Sequence, residues 1–412
     1  MLRRILEYGQ KIFELTDEID SVTDTRKLPK IPTSVIIRNA FAMIISGQGS
    51  LNAAEQSSSC PFWKKWLGVK PPSADSIGRV MALVDCEKLR GIQKKTYAKL
   101  KRNKVKQKSF GGYFALALDG HESNASYLRS TTECLEREIQ TANGVKTQYY
   151  HRHILATLIF EDFCFLLDVE PQKPGEDEVA AAMRLLERVF RDYPRAFDVI
   201  LADGLYARST FFNFVTSHPG KHVVAVLKNE ERELMKDARH LCTLTEPITV
   251  RSGALTKMMW DISGCTSWPQ VSEAVRVVRS FECRKVNRQL DKDKVDKKPD
   301  EVMSDWVWVT TIPASVANTE AIASLGHARW SVENQGFNET TKDWHADHIY
   351  KNDDVAILNF NLLLLAAYNV FHAFFWRNLK QNALRGVTKL HVRQLISADL
   401  YGTCSTGLRI PP

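Results

Sequence analysis

The sequence predicts a mixed α/β fold with a helical N-terminal part and a β-rich insertion, and three observations carry that expectation. Apolar residues recur at helical spacing through the first 110 positions. From Gly111 the period shortens, and short apolar strands alternate with helices as far as residue 228. Residues 231–312 break the alternation with several strand-like runs, after which helical spacing returns through most of 320–380. A chain of 412 residues, 44% hydrophobic and 25% charged, has globular composition and excludes a largely disordered protein. Its length calls for several folding segments. These are expected at 1–110, 111–230, 231–312, 313–380 and a helical tail at 381–412.

In the N-terminal part, Ile5, Tyr8, Ile12 and Leu15 form one apolar stripe; Val35, Ile36, Ala40, Met43 and Ile44 form another. Pro71-Pro72-Ser73 opens a further helix, with Ser73 or Asp75 as cap and Ile77, Val80 and Val84 on its buried face. YFALALD (113–119) is a short strand closing on an aspartate. Two more strands, near 149–160 and 163–169, are joined by a turn at Glu161-Asp162. EVAAAMRLLERV (178–189) is an amphipathic helix, and FDVILAD (197–203) is a strand that again closes on an aspartate. A helix around 210–217 leads to the strand HVVAVLK (222–228). Three antiparallel strands followed by alternating units predict a mixed sheet with helices on its faces.

The insertion carries strand-like runs near 248–251, 257–262, 274–284 and 306–311, with a polar, charge-dense loop at 284–301. A helix starts near Asn318-Thr319. The apolar run 356–376 is long enough for a transmembrane reading, but Asn359, Asn361, Asn369 and His372 interrupt it, and each is costly in lipid. A buried core helix is expected, with no membrane partner. The start, MLRRILEYGQKIFEL, lacks a signal-peptide pattern. The eight cysteines contain no C-x-x-C pair, which excludes a zinc ribbon and a small disulfide scaffold and suits a cytoplasmic protein.

The net charge of +8 is unevenly spread. Residues 1–110 hold 21 Lys+Arg against 10 Asp+Glu, a balance of +11, so the other 302 residues, with 35 against 38, sum to −3. Between Arg90 and Lys108 there are nine basic residues and no acid, among them Lys94, Lys95, Lys99, Lys101, Arg102 and Lys104. Such a run attracts a polyanion through phosphate contacts, or forms a solvated helix face.

Asp119 in LALDGHE and Asp203 in ILADGLY each end a strand and precede a glycine. A strand holds such a carboxylate rigidly at a crevice, and the glycine permits close approach; ordinary turn chemistry gives the same dipeptide. In HARWSVENQGFNETTKDW (327–344), Arg329 and Glu333 share a face of an ideal helix, with Phe337 on the same stripe. Glu333 lies among Trp330, Val332 and Phe337, so it needs a partner, either Arg329 or a metal. Two aspartates and a glutamate suffice for two magnesium ions about 4 Å apart, the arrangement for in-line phosphoryl displacement. Glu122 is a candidate neighbour of that site or a turn carboxylate. His151 and His153 alternate on one strand, as a metal pair or as plain strand residues, and His345 and His348 are unassigned.

Taken together, these residues resemble the DDE transposases of bacterial insertion sequences, in particular the insertion-sequence-4 superfamily, over roughly residues 30–380. The strand-end Asp119 and Asp203 and the R-W-S-V-E-N helix carry the resemblance. DVEPQKPGEDE (168–178), SLNAAEQ (50–56) and PPSADS (71–76) support it. It implies an RNase H-like catalytic core interrupted by a β-rich insertion. Asp119, Asp203 and Glu333 match the acidic triad, binding two Mg2+ ions with Mn2+ able to substitute. The family's glutamate helix reads Tyr, two residues, Arg, three residues, Glu, six residues, Lys. Arg329 matches its arginine, which would contact a DNA phosphate. Gly326 stands at the tyrosine position and Thr340 at the lysine position, with Lys342 two residues late. Among Trp260, Trp268, Trp306 and Trp308, in or beside the insertion, one would stack a flipped base if the reaction uses hairpins; core packing is the other reading.

The activity implied is metal-dependent cleavage at transposon ends followed by strand transfer into target DNA, by a homodimer assembled on double-stranded DNA at the nucleoid. A non-catalytic DNA-binding protein with a decayed transposase fold is the rival, and an RNase H-like nuclease without strand transfer is a third reading.

Overall fold

The computed structural model describes residues 1–142, 144–230, 232–286, 300–380 and 385–402. It contains two compact units, one formed by Met1–Lys106, Gly120–Tyr193 and Val332–Pro412, the other by Gln107–Asp119 and Pro194–Ser331. Numbered along the chain, the first unit begins with α1 (Leu2–Phe13), α2 (Leu15–Asp20), α3 (Thr33–Ile45), α4 (Leu51–Gln56), α5 (Pro61–Leu67), α6 (Ala74–Met81) and α7 (Cys86–Arg102). Strand β2 (Tyr113–Ser126) passes from the second unit into the first, which adds β3 (Leu135–Thr141), β4 (Gly144–Ile159), β5 (Cys164–Pro171) and α8 (Glu178–Asp192). A π-helical turn at Val332–Asn338, then α12 (Glu339–Trp344), α13 (Asp354–Arg377) and α14 (Lys389–Gly402), complete it.

Helix starts follow side-chain chemistry. Ser73, Asp177 and Asp353 each accept a backbone amide of the first turn of α6, α8 and α13. The axis of the first unit is α13, against which α1, α3, α6, α7 and β5 pack. It is long and apolar enough to cross a membrane, yet 83% of its apolar window is buried. Its polar residues are satisfied inside the protein. Asn359 donates to the Met81 and Val84 carbonyls at 2.8 and 2.9 Å. Asn369 accepts the Leu166 amide at 2.9 Å and donates to the Leu166 carbonyl and to Gln93, both at 2.8 Å. His372 meets Glu339 at 2.8 Å. This is the core helix that the interrupted apolar run predicts.

A buried charge cluster ties α7 and α8 to β5. Asp168 accepts from Arg90 at 3.0 Å and from Arg188 at 2.6 Å, while Glu170 pairs with Arg184 and Arg188, each at 2.7 Å. Glu176 closes on Arg184 as well. The acidic run 168–178 is therefore a structural clamp, and Arg90 of the basic run belongs to it.

In the second unit, β1 (Ser109–Phe110) turns through Gly111-Gly112, both with positive φ, into β2. The first part of β2 runs parallel to β6 (Val199–Ala202), which runs parallel to β7 (His222–Val226). Between them α9 (Ser209–Thr216) provides the crossover. Beyond β7 the pairing turns antiparallel, through β11 (Asp300–Thr310), β10 (Val275–Val286), β9 (Leu255–Cys265) and β8 (Ile248–Ser252). The mixed α/β expectation holds.

Five details differ from what the sequence predicts. Strand β2 does not close on Asp119 but continues to Ser126, through polar residues (GHESNAS) that carry no apolar period. Strand β3 and the first five residues of β4 carry no apolar signature in the sequence, because LEREIQT and its partner expose polar side chains and bury little. Residues 231–312 also contain a helix, α10 (Glu233–Thr243), whose Leu234, Met235, Ala238 and Cys242 are buried. Strands β10 and β11 extend into the expected loop to Val286 and from Asp300; residues 287–299 of that loop lie outside the described residues. Of the expected C-terminal tail, 385–402 is described and holds α14, while 381–384 and 403–412 lie outside.

Candidate active site

Ala115, Leu116 and Ala117 of β2 pair with Val199, Ile200 and Leu201 of β6 in parallel register. Two residues beyond the last pair stand Asp119 and Asp203. Asp203 keeps extended backbone (φ −82°, ψ −177°), so the two-residue alternation places both carboxylates on one face of strands about 4.8 Å apart. The sequence predicts two strand-end aspartates; in the structure Asp203 follows the end of β6 while Asp119 lies within β2, and the parallel register sets the two strands side by side.

Each carboxylate has cationic company. Asp119 Oδ2 lies 3.1 Å from Arg329 Nη1. Arg329 ends α11 (Thr319–Ala328), is buried, and stacks its guanidinium 4.7 Å from the Trp330 ring. Its Nε finds no hydrogen-bond partner among the described residues. Asp203 Oδ1 accepts the Leu205 amide at 2.7 Å, and Oδ2 lies 3.7 Å from Lys228 Nζ at the end of HVVAVLK. Gly204 fits closely here, because a Cβ would sit 3.0 Å from the Lys228 side chain and 3.2 Å from the Val226 carbonyl. At Gly120 a Cβ would meet the Glu178 carboxylate at 2.5 Å. Lys228 is a neighbour of Asp203 that the sequence reading does not include; a lysine closing a parallel strand is the available signal.

Oxygen-only donors in a charge-compensated pair suit a hard divalent cation such as Mg2+. With Arg329 and Lys228 already paired to the aspartates, a dication binding these oxygens would have to displace or share those cationic partners. Among the described residues no three His, Cys, Asp or Glu side chains form a metal-holding group.

Glu333 belongs to the first unit and is half-buried near the start of the π turn. The straight α-helix expected across 327–344 is thus corrected. α11 ends at Ala328, and the π stretch winds with i→i+5 bonds, so an ideal 3.6-residue stripe does not describe Arg329, Glu333 and Phe337. One residue absorbed by the π turn makes the nine-residue step from Glu333 to Lys342 behave as about eight α-helical residues. That is about 80° around the axis instead of half a turn. Lys342 is exposed on α12, whereas Thr340 is buried.

Gly326 is packed against the indole of Trp308, at which an added Cβ would stand 2.2 Å from Cε2. The space beside the family's tyrosine position is therefore filled from β11. Trp308 is buried and parallel to Trp306 at 6.2 Å; His327 meets both rings edge-on, and the partly exposed Trp330 meets Trp306 edge-on at 6.3 Å. Trp268 packs on Phe212 and Trp260 under Arg279.

The remaining candidates are engaged structurally. Glu122 is held by Arg137 through two bonds of 2.6 and 2.8 Å. His151 and His153 are buried on β4, and burial holds the His153 ring down to about 3. His345 is an exposed left-handed residue after α12, and His348 stacks edge-on against Tyr350. In the basic run, Lys94 pairs with Asp192 at 2.7 Å, Lys95 with Glu14 and Glu18 at 3.0 and 3.2 Å, and Lys99 with Glu14. Lys101, Arg102 and Lys104 are exposed and, among the described residues, make no ion pair.

A mixed sheet with parallel central strands, flanking helices, and aspartates on adjacent strands, Asp119 within β2 and Asp203 at the end of β6, fits an RNase H-like core. Residues 111–370 match the transposase DDE domain, and the chain belongs to that family, which acts on DNA and uses divalent metal ions. No curated protein matches the chain.

Proposed function

We propose that this protein is a transposase of the insertion-sequence-4 type that cleaves transposon ends and transfers the freed 3′-hydroxyl into target DNA. The observation that carries the reading is the in-register pair Asp119 and Asp203, within a chain of the DDE family. Asp119, Asp203 and Glu333 would hold two Mg2+ ions, with Mn2+ able to replace them. When bound, such ions supply charge neutralisation at the phosphate and a more acidic attacking water or hydroxyl.

The chain's own residues account for the rest. The aspartates are fixed by β2 and β6, so little reorganisation is needed at the reacting phosphate. Arg329, with a buried Nε that lacks a partner, has a donor to give to a phosphate oxygen beside Asp119. Lys228 is placed to do the same beside Asp203. Lys101, Arg102 and Lys104 would contact the duplex, and Lys342 would add a contact beyond Glu333. Lys94, Lys95 and Lys99 could join them only by leaving their carboxylates. Two transposon ends must be held together, which calls for a homodimer on DNA.

The test is a cleavage assay on end DNA with Asp119→Asn, Asp203→Asn and Glu333→Gln. Each is expected to lose Mg2+-dependent nicking by at least about a thousandfold while binding end DNA within a few-fold of the parent. Retained nicking in any one removes that residue from the triad. A parent that binds ends but never nicks in Mg2+ or Mn2+ fits the decayed-fold alternative.

A further inference from the structure

The chain around Glu333 is not a plain helix, and its irregularity is held from three sides. In a π turn the hydrogen-bond ladder shifts by one residue, so a carbonyl needs help from outside the helix. Here the Gln335 carbonyl accepts a bond from the Tyr368 hydroxyl of α13 at 3.0 Å. The Gln335 side chain accepts the Cys164 amide at the start of β5 at 3.1 Å. Thr340 donates to the Gly336 carbonyl and lies 3.2 Å from that of Phe337. Gly336 fits tightly against β4, since a Cβ there would sit 3.0 Å from Leu155. Tyr368 is fully buried and stacked 4.0 Å from His372, and burial together with the Glu339 charge pushes its phenol well above 10. The hydroxyl therefore stays a donor.

We propose that Tyr368 is a positioning residue for Glu333: its bond to the Gln335 carbonyl keeps Val332–Asn338 in the π register that aims the Glu333 carboxylate. Relaxation to an α register would turn residues on one side of Gln335 against those on the other by about 100°. Glu333, two residues before Gln335, would then face a different direction while the chain stays folded and helical. Thr340 acts with Tyr368 from the C-terminal side of the turn. The inference rests on the transposase reading for its catalytic consequence and on the geometry alone for its structural one.

The experiment uses the full chain with Tyr368→Phe, Thr340→Val and Thr340→Ser. Three quantities are read: Mn2+ binding followed by the resonance signal of the free ion, end-DNA cleavage across a Mg2+ titration, and amide exchange over residues 332–340. Tyr368→Phe and Thr340→Val should raise the metal concentration for half-maximal binding and cleavage about tenfold and speed exchange in that segment, with DNA affinity unchanged. Thr340→Ser, which keeps the hydroxyl, should match the parent. Parental metal curves and exchange in Tyr368→Phe and Thr340→Val would overturn the inference. A parent that binds Mn2+ but never cleaves would count against the transposase reading instead, while binding and exchange still decide the role of Tyr368.

Discussion

Replacing Gly326 with alanine sets two opposing effects against each other, and the larger decides the sign. In the interior of α11, Gly→Ala should stabilise by about 1 kcal/mol on helix propensity alone. The new methyl, however, would stand 2.2, 2.3 and 2.6 Å from three atoms of the Trp308 indole. Ordinary contact requires the ring to retreat by about 1 Å. Trp306 lies parallel behind it at 6.2 Å and His327 edge-on at 5.0 Å, so the retreat is blocked. Overpacking of this kind costs about 3 kcal/mol at the upper end, which leaves Gly326→Ala destabilised by about 2 kcal/mol. In a Trp308→Leu background the obstacle is gone and the same change should stabilise by up to about 1 kcal/mol, a coupling of about 3 kcal/mol. Denaturant unfolding of the four proteins in this cycle measures it. A Gly326→Ala protein as stable as the parent, or additivity within about 0.5 kcal/mol, would refute the packing argument.

Two further outcomes follow from the first unit. Asp168→Ala leaves buried Arg188 with Glu170 alone and buried Arg90 with the half-exposed Glu87 and, at 3.8 Å, Glu170, and should cost about 3 kcal/mol in denaturant unfolding at neutral pH; a loss under about 1 kcal/mol would show that water, Glu87 or rearrangement replaces the clamp. His153 has its folded-state pKa held by burial at about 3, below an unfolded value of 6.5. The unfolded chain therefore binds the extra proton first, and this contribution is fully present above 6.5 and lost as pH falls toward 3. Between pH 6.5 and 5 the loss should be about 2 kcal/mol, and His153→Gln should remove that share of the pH slope; an unchanged slope would mean the ring is not the titrating group.

The features legible in the sequence are those with a local signature. Asp119 and Asp203 could be read because each closes an apolar run of strand period, although β2 itself runs on past Asp119 to Ser126, and α13 because its amides interrupt an otherwise continuous apolar run. Other features depend on partners remote in the chain. The basic run is plain in the sequence, but apart from the local Glu87 the acids that engage it come from positions 14, 18, 168, 170 and 192, and only folding brings them to Arg90, Lys94, Lys95 and Lys99. The π turn was hidden because its hydrogen bonds depend on Tyr368 and Cys164, while a stripe reading assumes 3.6 residues per turn. Strand β3 was hidden because a two-sided polar strand has no apolar period to detect.

The polar residues of α13 also fix where that helix can stop along its own axis. A smooth cylinder of leucine, alanine and phenylalanine could slide by one turn past its neighbours with modest loss, because one apolar groove resembles the next. Asn359 is keyed to the end of α6, Asn369 to the backbone of β5, and His372 to Glu339. A one-turn displacement would orphan all three sets of partners at once, and this all-or-nothing penalty selects a single axial setting from several of nearly equal greasiness.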